Sequence, residues 1–147
     1  MLRHGEWGGG EGFDPANISD GLWESFVENS GFAVTAAIKS VIEKSQLRKN
    51  KLQFVGSSTG GVVALEVIKR GLKPSTLVLS SPLPEKEYDD ETSFHNNLDS
   101  FSNLSLLVLT GKDDDEVPTG ETELFFNLVE SSQKELVTYE SGHDLPI

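Results

Sequence analysis

A serine between two glycines is the first feature of this chain that could do chemistry. A short apolar run, residues 52–55, leads into Gly56, Ser58 and Gly60, and an amphipathic helical pattern follows at once. Between a strand and a helix, the spacing Gly-x-Ser-x-Gly is typical of a nucleophile elbow, a sharp turn that exposes a reactive serine. Glycine suits the flanking positions because neighbouring backbone passes close to such a turn. The alternative is a glycine-rich turn in which Ser57 or Ser58 only caps the following helix.

An acidic run and a histidine follow later apolar stretches. Asp113 to Asp115 come after the apolar residues 104–109, and His143 comes after residues 135–139. A serine hydroxyl becomes a useful nucleophile when a base takes its proton, and histidine suits this task because its pKa lies near neutrality. A carboxylate can hold the imidazole in the required tautomer. The alternatives are a solvated acidic loop or weak calcium loop, and an ordinary exposed histidine; His95, in a polar stretch, is expected at the surface.

Short apolar stretches that alternate with helical patterns predict the elements that must position these residues. We expect an α/β fold of three layers, α/β/α, with a mostly parallel sheet of about five strands. The predicted strands are residues 52–55, 76–79, 104–109 and 135–139, with a doubtful one at 1–3, and the predicted helices are residues 17–28, 32–45, 59–70 and 119–130. Sites in parallel sheets gather at the carboxyl ends of the strands, where Ser58, the acidic run and His143 all fall.

Within the helices, apolar spacing predicts which side chains face the core. We expect Gly31 and its two preceding residues to separate the first two helices, and Gly71 to cap the third. The side chains predicted to face inward are Phe32, Val34, Ala37, Ile38, Val41 and Ile42 in the second helix, and Leu124, Phe125, Leu128 and Val129 in the last.

Three local patterns together resemble the α/β-hydrolase superfamily, over essentially all of the chain from residue 32 onward. They are Gly-Ser-Ser-Thr-Gly-Gly at 56–61, Gly-Lys-Asp-Asp-Asp-Glu-Val-Pro at 111–118, and Gly-His at 142–143. The resemblance implies a serine hydrolase of esters or thioesters in which Ser58 is the nucleophile and His143 the base. The family register Gly-x-x-Asp-x-x-Val-Pro selects Asp114 as the acid. The backbone N–H of Thr59 would donate to the oxyanion.

The resemblance is weaker at both ends of the chain. The second oxyanion donor would be the N–H of Glu6 or Trp7, in the loop that begins at His4. In a competing alignment this loop corresponds to one after a later strand of the family, so that the oxyanion loop and the first three strands are missing. The helix that usually follows the histidine has no room after residue 143. A catalytically weak or inactive binding module on the same scaffold is therefore the alternative function.

Substrate identity is not indicated by the sequence. Residues 82–103 occupy the lid position of the family within a single predicted domain, residues 1–147, and are too few for a folded cap. Three aromatic side chains of this stretch could line an acyl pocket or simply pack under a loop: Tyr88, Phe94 and Phe101.

Composition excludes several other classes of function. The chain of 147 residues has a net charge of −12 and no cysteine, which disfavours nucleic acid and anionic membranes as partners and rules out disulfides and thiolate sites. No apolar run has the length of a membrane span, and the first residues lack the pattern of a signal peptide. We expect a cytoplasmic protein that needs no cofactor or metal and acts on a small ester or acyl substrate; the oligomeric state is not indicated.

Overall fold

The computed structural model describes residues 20–45, 51–82 and 101–144. Several predictions fall outside these residues: the doubtful strand at 1–3, the loop from His4 to Trp7, His95, and most of the insert at 82–103, including Tyr88 and Phe94.

Four parallel strands form one sheet, and their order in space is their order in the chain. The strands are β1 Gln53–Ser57, β2 Thr76–Ser80, β3 Ser105–Gly111 and β4 Gln133–Tyr139, and the helices are α1 Asp20–Ser45, α2 Thr59–Lys69 and α3 Thr119–Leu128. Each strand pairs in parallel with the next, so all four carboxyl ends lie at one edge. The predicted α/β fold with a parallel sheet is confirmed, with four strands described where about five were expected.

The main core lies between one face of the sheet and the helices α2 and α3. Leu77 and Leu79 of β2 are fully buried, and they share a cluster with Ile68 of α2 and Phe125 of α3. The cluster also contains Leu65, Phe101, Leu104, Leu106, Val108 and Val129. The placement of Phe101 agrees with the packing interpretation of that residue. Because these side chains alternate along each strand, the buried face is set by the pleat of the sheet.

Helix α1 differs from the prediction because it continues through Gly31. A Cβ at Gly31 would clash with the Cγ of Glu66 in α2, so this glycine allows close packing of the two helices and does not end one. The stripe that α1 buries is accordingly rotated from the predicted one. Val27, Thr35 and Ile42 are buried there, whereas others predicted to face inward are exposed: Phe32, Val34, Ala37 and Val41.

The predicted end of α2 at Gly71 is confirmed, whereas the predicted inward face of α3 is wrong at Leu124. Gly71 has a φ of 91° and its N–H donates to Ile68 O, as expected for a glycine that ends a helix. In α3, Phe125 is buried and so is Val129 just beyond it, but Leu124 is 65% exposed.

No helix in the described ranges combines the length and the apolar character that crossing a membrane requires.

Candidate active site

Ser58 stands in a strained turn between β1 and α2. Its backbone has φ 49° and ψ −126°, and among the described non-glycine residues only Ser58 and Ser81 have a positive φ. The Ser58 N–H donates to Ser80 O at 2.9 Å, and Gly61 N–H donates to Ser58 O at 2.8 Å, so the turn is held on both sides. The Ser58 side chain makes no capping hydrogen bond to α2. Helix capping therefore does not account for this serine, and strained backbone is a mark of functional sites.

The two glycines of the serine motif have different roles. A Cβ on Gly56 would lie 2.6 Å from Gly60 O and 2.7 Å from Gly61 Cα, whereas a Cβ on Gly60 would meet nothing within 4 Å. The expectation that both glycines must lack a Cβ is thus met only at Gly56. At Gly60 it is the backbone, not the missing side chain, that makes the close approach. Gly61 is also confined, since its Cβ would lie 3.3 Å from Pro82 Cβ.

Asp114 is the buried member of the acidic run. Its side chain is fully buried, while Asp113 and Asp115 on either side are exposed. Its Oδ1 accepts backbone hydrogen bonds from Val117 at 2.8 Å and Glu116 at 3.1 Å. A buried carboxylate needs such donors, because an unpaired charge away from water is costly.

The net effect of these surroundings keeps Asp114 ionised. Burial acts to raise the pKa of Asp114, but the Val117 N–H, the Ser81 hydroxyl and His143 outweigh it, and the pKa lies below its ordinary value of 3.8. Hydrogen bonds to the charged form and a nearby imidazole both favour a carboxylate over a carboxylic acid.

His143 lies against this carboxylate. Its Nδ1 is 3.1 Å from both Oδ1 and Oδ2 of Asp114, and its side chain is 16% exposed. A carboxylate only accepts hydrogen bonds, so Nδ1 carries the proton and, in the neutral ring, Nε2 is left as an acceptor. That is the tautomer a general base for a serine requires.

Ser58 and His143 are not hydrogen-bonded to each other in this structure. Nε2 of His143 lies 3.7 Å from Oε2 of Glu116, an exposed carboxylate. Such bonds between nucleophile and base are often long or absent before substrate binds. The structure thus pairs Asp114 with His143, and it places Ser58 at the same edge of the sheet without a hydrogen bond to them.

Gly111 allows the acid loop and the histidine loop to pack against each other. A Cβ at Gly111 would clash with the carbonyl oxygens of Gly142 and Ser141. Lys112 N–H donates to Tyr139 O at 2.8 Å, and Asp113 N–H donates to Ser141 O at 3.0 Å. These contacts fix the two loops that carry Asp114 and His143 in one orientation.

Thr59, the first residue of α2, is 3% exposed. The first N–H groups of a helix have no partner within it and lie at the positive end of the helix dipole. The Thr59 N–H is therefore one of those without a partner within α2, and it directly follows Ser58. Glu6 and Trp7, the predicted source of a second donor, lie outside the described residues.

One residue of this site was missed by the sequence reasoning. Ser81 follows β2 directly, is 0% exposed, and has a φ of 40°. The available signal was its position, because it comes just after a predicted parallel strand, as Ser58 does.

Within the described ranges, no group of acidic or histidine side chains has the arrangement of a metal site.

Comparisons with known proteins show the fold. No family model and no curated protein matches the chain. Among solved structures, it is similar to a carboxylesterase of Bacillus cereus (TM-score 0.67, 15% identity, 89% of this chain and 58% of that one). It is also similar to esterase PE8 (TM-score 0.69, 17% identity, 92% and 62%). A third similar structure is the Pyrococcus furiosus esterase Pf2001 (TM-score 0.64, 16% identity, 86% and 56%).

These similarities give the chain the α/β-hydrolase fold, as the resemblance of its motifs implied. At such identities they establish architecture alone. The chain spans about 56–62% of the length of these three esterases.

Proposed function

We propose that this chain is a serine hydrolase that cleaves carboxylic esters or thioesters through an acyl-enzyme on Ser58. The observation that carries the proposal is the hydrogen bond between His143 Nδ1 and the buried Asp114 carboxylate. A fully buried carboxylate that accepts two backbone N–H groups and orients a histidine through Nδ1 leaves Nε2 to act as the base. The strained turn at Ser58 supplies a nucleophile at the same sheet edge.

The reaction takes place in two halves. Ser58 Oγ attacks the ester carbonyl carbon while its proton passes to Nε2 of His143, and the Thr59 N–H donates to the oxyanion. The carbon–oxygen bond to the alcohol, or carbon–sulfur bond in a thioester, then breaks. The leaving group takes the proton from Nε2, and the acyl group stays on Ser58. Water attacks this acyl-enzyme with the same histidine as base, which releases the acid and restores Ser58. Asp114 stabilises the imidazolium in both halves.

A second N–H donor would complete the oxyanion site. We place it in the predicted loop at Glu6 or Trp7. Loss of one such donor costs roughly 2.7–4 kcal/mol of transition-state stabilisation, about a hundred- to a thousandfold in rate.

The test uses a short-chain nitrophenyl ester and a fluorophosphonate probe, with mass spectrometry to locate the label. Wild-type protein is expected to release nitrophenol and to be labelled on Ser58. Ser58→Ala and His143→Ala should each lower kcat at least about a thousandfold. The matched control is Ser57→Ala, because Ser57 is the exposed neighbouring serine at the end of β1. Equal labelling of wild type and Ser58→Ala, or no labelling of either, contradicts the proposal.

A non-catalytic α/β-hydrolase-like binding module is the second candidate. It is favoured by the absence of a Ser58–His143 hydrogen bond between these two described residues and by the position of Glu116 beside Nε2. Ester turnover that disappears in both Ser58→Ala and His143→Ala excludes it as the main account.

A further inference from the structure

Ser81 lies at the junction between the nucleophile turn and the acid loop. It follows β2, the strand that separates β1, which leads to Ser58, from β3, which leads to Asp114. The Ser81 N–H donates to Leu109 O in β3 at 2.9 Å, and the residue before it accepts from Ser58 N–H at 2.9 Å. The end of β2 is thus hydrogen-bonded to both sides of the site.

The backbone of Ser81 is strained. A serine at φ 40° costs free energy that a glycine would not, and such strain persists where the surroundings hold it. Ser58 and Ser81 are the only non-glycine residues in the described ranges with this feature. Both stand directly beyond a strand at the carboxyl edge.

The hydroxyl of Ser81 is an unpaired polar group among the described residues. It is buried and makes no hydrogen bond of normal geometry to any described residue. Leaving a buried hydroxyl unpaired costs roughly 1–3 kcal/mol. Its acidic neighbour in the site follows the adjacent strand β3, to which Ser81 is tied through Leu109 O, and the hydroxyl is among the groups that lower the pKa of this residue, Asp114.

The Asp114 carboxylate has room for another donor. The backbone N–H groups of Glu116 and Val117 both donate to Oδ1, and His143 is the hydrogen-bond partner found for Oδ2 among the described residues. A carboxylate oxygen accepts about two hydrogen bonds. A hydroxyl proton rotates freely, so a small movement of Ser81 or Asp114 would complete a bond to Oδ2.

We propose that Ser81 is a positioning residue, whose strained backbone directs its hydroxyl to the Asp114 carboxylate and keeps that carboxylate aimed at His143. This rests on the proposed hydrolase function only for its kinetic readout. The role is indirect, since Ser81 acts through Asp114 and not on the substrate. None of the variants in the test changes the other charged groups around Asp114, so these groups affect all variants alike. They are His143, Glu116, Asp113, Asp115, and the exposed Lys112–Glu140 ion pair.

The test is a double-mutant cycle of Ser81→Ala with Asp114→Asn, read from the midpoint of urea unfolding at pH 7. Ser81→Ala is expected to lower the midpoint clearly in the wild-type background and much less beside Asp114→Asn, because the charged acceptor is gone. The matched control is Thr110→Val. Thr110 also has a fully buried hydroxyl without a partner among the described residues, but it does not act on Asp114. Its substitution should shift the midpoint equally in both backgrounds.

Two further measurements keep the inference testable. Ser81→Gly accepts the positive φ without strain, so coupling of this variant to Asp114 assigns the effect to the hydroxyl even where Ser81→Ala does not fold. If Asp114→Asn does not fold, the charge of Asp114 is removed by lowering the pH instead. The difference in urea midpoint between wild type and Ser81→Ala or Ser81→Gly should then become smaller as the pH falls below 3.8 and Asp114 becomes protonated.

In kinetics, both variants should lower kcat for the ester roughly tenfold with little change in KM. Equal midpoint shifts in both backgrounds, with no narrowing at low pH, overturn the inference. Coupling to Asp114 in a protein that hydrolyses no ester supports the inference and rejects the proposed function, so the two failures are distinguishable.

Discussion

Gly111 lies against the backbone carbonyl of Gly142, with no side chain between them. Gly111 ends β3 and Gly142 immediately precedes His143, so this contact sets the distance between the acid loop and the histidine loop. The Asp114–His143 hydrogen bond therefore depends on a residue that takes no part in chemistry.

Substitution of Gly111 tests that dependence. In Gly111→Ala the new Cβ would clash with Ser141 O and Gly142 O, so one loop must move. We expect a loss of roughly 1–3 kcal/mol in the free energy of unfolding and a large loss of any esterase activity. Gly142→Ala is the matched control, because its Cβ would only reach Asp113 O at 3.7 Å. If the two variants changed urea unfolding and ester turnover equally, the contact at Gly111 would not be what orients the two loops.

The serine motif offers a second matched pair. Gly56→Ala places a Cβ 2.6 Å from Gly60 O, which displaces the turn at Ser58, whereas Gly60→Ala points into open space. We expect Gly56→Ala to abolish fluorophosphonate labelling and to destabilise the fold by roughly 1–3 kcal/mol. Gly60→Ala should retain labelling and stability. A labelled, stable Gly56→Ala protein would show that the turn has more space than these distances allow.

The Asp114 carboxylate should make stability depend on acid. Its pKa is lower in the folded protein than its ordinary value of 3.8, so its stabilising effect is complete well above that value and is lost as the pH falls through the folded pKa. Asp114→Asn should cost about 1.5–3 kcal/mol of unfolding free energy at pH 7, and its difference from wild type should shrink at low pH.

Urea unfolding at a series of pH values measures this difference. Asp113→Asn is the control, because Asp113 is exposed and its substitution should change little. If the difference in unfolding free energy between wild type and Asp114→Asn grew toward low pH, the pKa of Asp114 would not be lowered in the folded protein.

Lys134 is expected to stabilise the end of α3. Its Nζ donates to Phe126 O at 2.8 Å and Val129 O at 2.9 Å, and it lies 4.7 Å from the centre of the Phe126 ring. A cation at the carboxyl end of a helix satisfies free carbonyls and complements the dipole. Lys134→Met, which keeps most of the apolar stem, should cost about 1–2 kcal/mol.

Lys112→Met provides the comparison for Lys134. Lys112 pairs with Glu140 on the surface, with side-chain exposures of 60% and 79%. Exposed pairs contribute roughly 0–1 kcal/mol, so thermal unfolding should show a smaller shift for Lys112→Met. The opposite ranking would indicate that the carbonyl contacts of Lys134 are weak in solution.

Periodicity identified the strands and most helices because each is an apolar pattern within a few neighbouring residues. All four β-strands were predicted to within two residues at both ends. The continuity of α1 was missed, since Gly31 resembles a helix break until Glu66 is seen to occupy the space beside it. Phe32 and Leu124 were placed inside for a similar reason: helical spacing marks an apolar face but not the direction of its partner.

The sequence by itself determined the order Ser58, Asp114, His143 and the position of each beyond the end of a strand, because chain order and apolar pattern are local properties. Only the tertiary structure showed that Asp114, the aspartate selected by the family register, is buried against the histidine, that Gly56 and not Gly60 needs a bare Cα, and that the buried Ser81 shares the positive φ of Ser58. The burial of Asp114 against His143 depends on contact between segments distant in the chain, whereas the difference between the two glycines depends on the exact path of a local turn. In both cases packing selects among residues that look alike in sequence.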